Sequence, residues 1–370
     1  MLYFFYYTRN ILGLIMVISP LAGFLFIDFN FSLFMVFLLG AVLGAAAGPW
    51  LCSLINFRLW TTAVVIIFSV AANLRITLQD CPEEYICFAI LGFASSLLAV
   101  TVPANIVTGW FRSSKIQILG FVWGLSLPLG ILLSFIMERF TYSAGAICTI
   151  IMIAGAAFFL QEPLHLIKQR KLTGKFLNIC HQHVNHRRNA AKAAFFAGSI
   201  SFSLGIGLLS AQSYLPPSTA DFFLLPRDIF IMGLCAGSVA SAFISGFKGI
   251  YGGAITVIFL AEISAVCSWQ TCLPALYGST FAAGMCAGAL PIIIPVLTYF
   301  LCGPVNYNMS VCRITAVTAG GLLMAFVIFD GWDDSTFSFV PLLTAIGLLI
   351  FAFFTVFSAW NHRLFLLKCS

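Results

Sequence analysis

The chain has 370 residues, of which 61% are hydrophobic and only 8% charged. A soluble globule of this length needs far more polar surface to cover its core, so the water-soluble classes are excluded. The net charge of +6 comes from cations lying between apolar runs, which is a topology signal and not a nucleic-acid-binding face.

Crossing about 30 Å of hydrocarbon takes roughly 20 apolar residues as a helix. Runs of that kind predict spans near 9–28, 31–55, 60–78, 85–110, 116–137 and 142–160, then 193–213, 229–247, 250–269, 273–302, 314–330 and 338–359. The expected fold class is an all-α polytopic membrane protein with twelve transmembrane helices in two six-helix bundles. Residues 1–10 run directly into apolar sequence, and no cleavage site for a signal peptide is readable.

Taken in chain order, Asp28 closes the first span, as a loop carboxylate or as an acid through which protons enter. The second span carries Gly40, Gly44 and Gly48, every fourth residue, which lets helix backbones approach closely. Gly120 and Gly124, Gly233 and Gly237, and Gly284 and Gly288 repeat the device on the fifth, eighth and tenth spans. The readings are ordinary helix packing, or smooth seams on the second, fifth and eighth spans along which two bundles rock. Arg75, near the end of the third span, snorkels to the interface, meets the acidic loop of Asp80, Glu83 and Glu84, or attracts an anionic substrate.

Residues 161–192 separate the halves, giving a bundle over 1–160, a basic central loop over 161–192, and a second bundle over 193–370. Within that loop, CHQHVNHRR offers Cys180, His181, His183 and His186. Their spacing matches no closed zinc site, so the expectation is a solvated loop that attracts anionic lipid head groups, with no metal. The twelve cysteines form no CxxC pair, and Cys52, Cys87, Cys148, Cys235 and Cys286 read as small buried hydrophobes. Cys81 and Cys272 could share one side and pair.

Glu262 interrupts the ninth span, VIFLAEISAVC. An acid at mid-membrane costs about 2.5–3.5 kcal/mol on insertion scales and is a functional candidate by default. It either takes up and releases a proton during transport, or ties its helix to a neighbour through a hydrogen bond.

Placing both termini and the even-numbered loops on one side gives that side fifteen of the eighteen Lys and Arg residues, and the other side ten of the twelve acids. The positive-inside rule then puts both termini and the central loop in the cytoplasm, in a cytoplasmic (inner or plasma) membrane. The halves also echo one another. NFRLWTTAVVIIF follows the second span and GFKGIYGGAITVIF the eighth, each with Phe then a cation (Phe57-Arg58, Phe247-Lys248) before a β-branched run.

Six plus six helices, a long basic central loop and cytoplasmic termini resemble the major facilitator superfamily of secondary transporters. The closest local match is TGWFRSSKIQILGFVWGLSLPLG. There Trp110, Phe111, Arg112, Lys115, Gly120, Gly124, Pro128 and Gly130 fit the family's Trp-Phe, basic turn and Gly/Pro-bearing fifth helix. In the family's loop after helix 2, Leu51 and Arg58 sit where expected, but Ser53 replaces the aspartate and Asn56 the second glycine. That aspartate contributes, in the family, to a charge contact locking the outward-open state, and this chain lacks its carboxylate at Ser53. The resemblance marks Ser53, Arg58, Arg112, Lys115 and Lys248 as gating-loop positions. It also implies a pathway lined by helices 1, 4, 7 and 10, backed by 2, 5, 8 and 11. Polar residues there are Thr101, Asn105, Gln117, Ser201, Ser203, Gln212, Tyr277, Ser279 and Thr280, each a ligand contact or a packing hydrogen bond.

No cation falls mid-span on the pathway helices, which disfavours a strongly anionic cargo. No GxSxG, HExxH or P-loop is present, so neither an enzyme nor an ATP-driven pump is expected, and no cofactor. The reading is a monomeric secondary transporter for a small neutral, zwitterionic or amphipathic solute, working by alternating access with a proton as a coupling ion. Its rival is a transporter-like sensor or assembly protein that binds a ligand without moving it, which the loss of the aspartate at Ser53 favours.

Overall fold

The computed structural model describes residues 2–25, 31–54, 56–78, 82–111, 115–139, 141–161, 183–214, 226–268, 270, 272–302, 307–330 and 343–357. Every regular element among them is helical. Apolar segments leave their backbone polar groups no water to bond, so each satisfies them internally as a helix.

The helices are α1 (Leu2–Leu25), α2 (Phe31–Leu54) and α3 (Phe57–Thr77), the last capped by the Asn56 side chain accepting from the Arg58 N–H. The fourth, α4, runs from Glu83–Ser96 through a π-helical turn, Leu97–Thr101, into Val102–Trp110. Then come α5 (Lys115–Arg139) and α6 (Thr141–Ala154), the latter ending in a second π turn, Gly155–Phe159. In the other half, α7 is His183–Tyr214. A continuous run, Pro226–Cys267, is broken at Gly249 (φ 73°, ψ 175°) into α8 (Asp228–Ser245) and α9 (Gly249–Cys267). Finally come α10 (Leu273–Cys302), α11 (Tyr307–Asp330) and α12 (Leu343–Phe357).

Ten of these helices are long and apolar enough to cross a membrane, and α6 and α12 are shorter apolar helices. Large apolar side chains stand exposed on their outer faces, including Trp50, Leu59, Ile150, Phe158, Phe243 and Phe351, as a hydrocarbon solvent requires. The protein is an integral multi-pass membrane protein. Three expected boundaries move most, the first being α1, which starts at Leu2 and not near residue 9. The α7 helix starts at His183, so His183–Lys192, which the sequence reading left in the central loop, is helix. The α11 helix starts at Tyr307, so Tyr307–Arg313 extends an apolar span and is not a turn.

By contacts the chain divides into two compact units, Met1–Arg188 with Thr298–Ala316, and Asn189–Leu297 with Val317–Ser370. In the first, α2 packs chiefly on α4 and α1 on α5. The α2–α4 seam has no room for side chains. A Cβ on Gly40 or Gly44 would strike the carbonyls of Ala89 and Phe93, and one on Gly92 that of Phe37. The second unit repeats this with the same spacings. Gly233 and Gly237 on α8 abut the carbonyls of Phe281 and Met285, while Gly284 and Gly288 on α10 abut those of Phe230 and Leu234.

The α7–α11 pairing mirrors α1–α5, with Gly321 on Gly198 and Gly205 on Ala325. These glycine seams on α2, α8 and α10 lie inside the units, where they serve as ordinary helix packing. On α5 the close approach is at Gly130, against Ser19 and Ala22 of α1.

Candidate functional site

Thr101 and Asn105 are fully buried in α4. The π turn there bonds the Val102 N–H to the Leu97 carbonyl, and Pro103 follows, contributing no N–H of its own. Such turns are irregular points in a helix and are frequent at functional sites. One turn on, the Asn105 Nδ2 donates to the Thr101 carbonyl at 2.9 Å, and the Thr101 Oγ1 lies 3.8 Å from the Cys312 Sγ. Opposite, a Cβ on Gly48 would stand 2.8 Å from that sulfur, so glycine leaves the volume that the thiol occupies.

Cys312 belongs to a buried cluster with Ala104, Tyr307 and Val311, against which Tyr299 packs. Tyr299 meets Tyr307 edge to face at 5.6 Å. Lys115, only 8% exposed, places its Nζ 4.3 Å from the centre of the Tyr299 ring. Thr101, Asn105 and Lys115, three of the sequence candidates, thus come together inside the first unit around Thr298–Ala316.

A second polar set ties down the end of α6. Arg9 donates to the Phe158 carbonyl, and the Arg58 Nε donates to the Leu160 carbonyl at 2.9 Å. Both cations thereby serve the negative end of a helix. Asn10 accepts from the Gln161 N–H at 2.9 Å, and the Trp110 indole donates to the Gln161 carbonyl at 3.4 Å. Arg58 is therefore held at a helix terminus.

In the second unit, the Ser279 Oγ donates to the Ser264 carbonyl at 2.7 Å and the Thr280 Oγ1 to the Leu276 carbonyl at 2.9 Å. Ser203 donates to the Ser199 carbonyl at 2.9 Å. These hydroxyls spend their protons on backbone, as packing groups do. The buried hydroxyls of Ser201 and Ser264 meet no partner among the described residues. Gly207 of α7 makes room for Ser264 of α9, where a Cβ would stand 2.5 Å from its Oγ. Tyr277 is half-buried on α10.

The remaining candidates scatter. Gln117 is exposed on α5. Arg75 is buried and lies over the Phe88 ring, 4.8 Å from its centre. Glu262 is half-buried on α9, with no hydrogen bond or ion pair among the described residues, and joins none of the groups above. The side chains of Ser53, Lys248, Gln212, His183 and His186 lie outside the described residues, as do Asp28, Arg112, Cys180 and His181 altogether. Among the described residues no group of three or more His, Cys, Asp or Glu side chains is placed to hold a metal ion. One cavity of about 400 Å³ lies between α3 and α6, lined by Ile66, Ser69, Val70, Asn73, Leu74, Thr149 and Ile153, and includes none of the pathway candidates.

Sequence reasoning missed Gly48, Tyr299, Tyr307 and Cys312 as parts of this site. The signal available in Tyr307–Arg313 was weak, because Asn308, Ser310 and Arg313 interrupt its apolar residues.

No family model matches the sequence, and no curated protein matches it. Solved structures do. A crystal structure of a bacterial homologue of the iron transporter ferroportin, in an outward-facing state, is 12% identical with a TM-score of 0.58, covering 96% of this chain and 99% of that one. Another, in the outward-facing state with soaked iron, is 11% identical with a TM-score of 0.61, covering 95% of this chain and 98% of that one. The fold is of the major facilitator type. At these identities the likeness carries the fold alone. Within the major facilitator-type fold, the site assembled in the first unit involves the second, fourth, fifth, tenth and eleventh helices.

Proposed function

We propose that the protein is a secondary transporter that moves a small neutral, zwitterionic or amphipathic solute across the cytoplasmic membrane by alternating access. The observation that carries this reading is the end-to-end match to transporter structures, which spans nearly all of both chains. A proton is the proposed coupling ion, with Glu262 its candidate carrier, and both termini lie in the cytoplasm.

The proposed binding groups are uncharged. Thr101 and Asn105 are buried at an irregular point of α4, where hydroxyl and amide groups offer neutral hydrogen bonds. Cargo binding need only favour one state over the other for a gradient to do work.

The test is flux into proteoliposomes of purified protein. The panel holds neutral, zwitterionic and amphipathic solutes chosen from those that differ between a deletion strain and its parent, together with Fe(II). Saturable uptake of an uncharged or zwitterionic solute is the expected result. Fe(II) flux alone overturns the cargo class, and binding without any flux overturns transport.

A further inference from the structure

The cavity of about 400 Å³ between α3 and α6 is graded in polarity along its depth. Counted back from the end of α3 at Thr77, Asn73 lies about 6 Å in, Ser69 about 12 Å and Ile66 about 16 Å. Counted from the start of α6 at Thr141, Thr149 lies about 12 Å in and Ile153 about 18 Å. A hydrogen bond from the Asn73 Nδ2 to the Thr149 Oγ1, 3.3 Å long, puts those two helix ends on one side. The polar lining therefore sits toward one membrane surface, and the isoleucines reach toward mid-bilayer. Ile66, Val70 and Leu74 line the cavity and are exposed, so it opens to the surrounding hydrocarbon.

Two of the polar groups keep unused bonding capacity. The Asn73 Nδ2 also donates to the Ser69 carbonyl at 2.7 Å, which fixes the amide and leaves its Oδ1 without a donor among the described residues. Ser69 is 1% exposed, and its Oγ meets no partner among them either. An unmet buried hydroxyl costs free energy that a hydrogen bond from a ligand recovers. The second unit fills the corresponding place with rings. There Phe259 of α9 meets Phe353 of α12 edge to face at 6.5 Å, and Phe353 stacks on Phe357 at 5.9 Å.

We propose that the α3–α6 cleft is a lipid site, which takes the free hydroxyl of a membrane acylglycerol at its polar end and lays an acyl chain along Ile66, Val70 and Ile153. A hydroxyl both donates and accepts, so one such group answers the Asn73 Oδ1 and the Ser69 Oγ, which stand one helical turn apart. An ester carbonyl only accepts and would leave the Asn73 Oδ1 unmet. A phosphate would find no cation, since none of the lining residues is charged. The site is separate from the pathway candidates and does not rest on the transport reading.

The full chain in phosphatidylcholine nanodiscs is irradiated with a diacylglycerol carrying a diazirine in one acyl chain, and adducts are mapped by mass spectrometry. Adducts concentrate on the α3 and α6 peptides and saturate. Unlabelled diacylglycerol displaces the probe about tenfold more effectively than its 3-O-acetyl ester, which has lost the donor. Val70→Trp fills the cleft from its exposed rim and lowers the adducts about tenfold, whereas Leu59→Trp, exposed on α3 outside the lining, leaves them unchanged. Ser69→Ala also lowers them about tenfold without lowering the melting temperature, because it removes a hydroxyl that had no partner.

The proposal is overturned if adducts spread evenly over the exposed apolar faces, if the acetyl ester competes equally, or if neither Val70→Trp nor Ser69→Ala changes the yield. A dimer in native mass spectrometry with α3 and α6 shielded from the probe assigns the cleft to a second copy of the chain, and overturns it too.

Discussion

Glu262 stands two residues before Ser264 on α9, and their surroundings differ. Ser264 is fully buried where α7, α9 and α10 meet, while Glu262 is half-buried with Ile263, an exposed residue, beside it. Under the proposed proton coupling, Glu262→Gln is expected to abolish proton-driven flux with expression intact. Flux with unchanged dependence on the pH gradient removes it from the mechanism.

Adjacent glycines on α11 offer a cleaner residue-scale contrast. A Cβ on Gly321 would stand 2.6 Å from the Gly198 carbonyl, whereas one on Gly320 would meet nothing within 4 Å. Overpacking of this kind costs about 1–3 kcal/mol. Gly321→Ala should therefore lower the melting temperature in detergent, and Gly320→Ala should leave it unchanged or raised, since alanine is the better helix former. Equal shifts would contradict the seam.

Thr101 and Asn105 were legible in the sequence because polar residues stand out in an apolar run. Cys312 was not, because a buried thiol and a small hydrophobe look alike until a partner is seen. Lys115 was legible as a cation that sets topology and as a gating-loop position, but nothing local to it announces a ring contributed from a distant helix.

At the scale of elements, apolar length predicted the spans well, including the joint between residues 247 and 250. The break between α8 and α9 falls at Gly249, whose dihedrals (φ 73°, ψ 175°) lie in a region essentially reserved for glycine. Gly249→Ala should cost about 1–3 kcal/mol, seen as a lower melting temperature, although a Cβ there would meet nothing within 4 Å. An unshifted melting temperature would mean that the joint relaxes freely.

The π turns in α4 and α6 were invisible beforehand. They insert a residue into the hydrogen-bond ladder, and Leu97–Thr101 reads in sequence like any other apolar helix turn. The glycine spacing was legible, but its partner was not. The same GxxxG period serves an intra-bundle seam or a sliding surface equally well, and only the carbonyls of Ala89, Phe93, Phe281 and Met285 decide for the former.

For the whole molecule, composition and the asymmetry of charged loops carried most of the information, because insertion into a bilayer constrains every span at once. The pairing of helices in each unit, second with fourth and first with fifth, depends on long-range packing that no window of sequence contains. The allocation of Thr298–Ala316 to the first unit depends on the same packing.

The central claim is that this fold transports a solute by exposing one site to each side in turn. Counterflow in proteoliposomes tests it most directly, using a solute that passes the flux panel. Unlabelled solute inside the vesicles should accelerate entry of labelled solute and raise it transiently above equilibrium. Saturable binding with no such exchange, or entry indifferent to solute on the far side, would contradict alternating access.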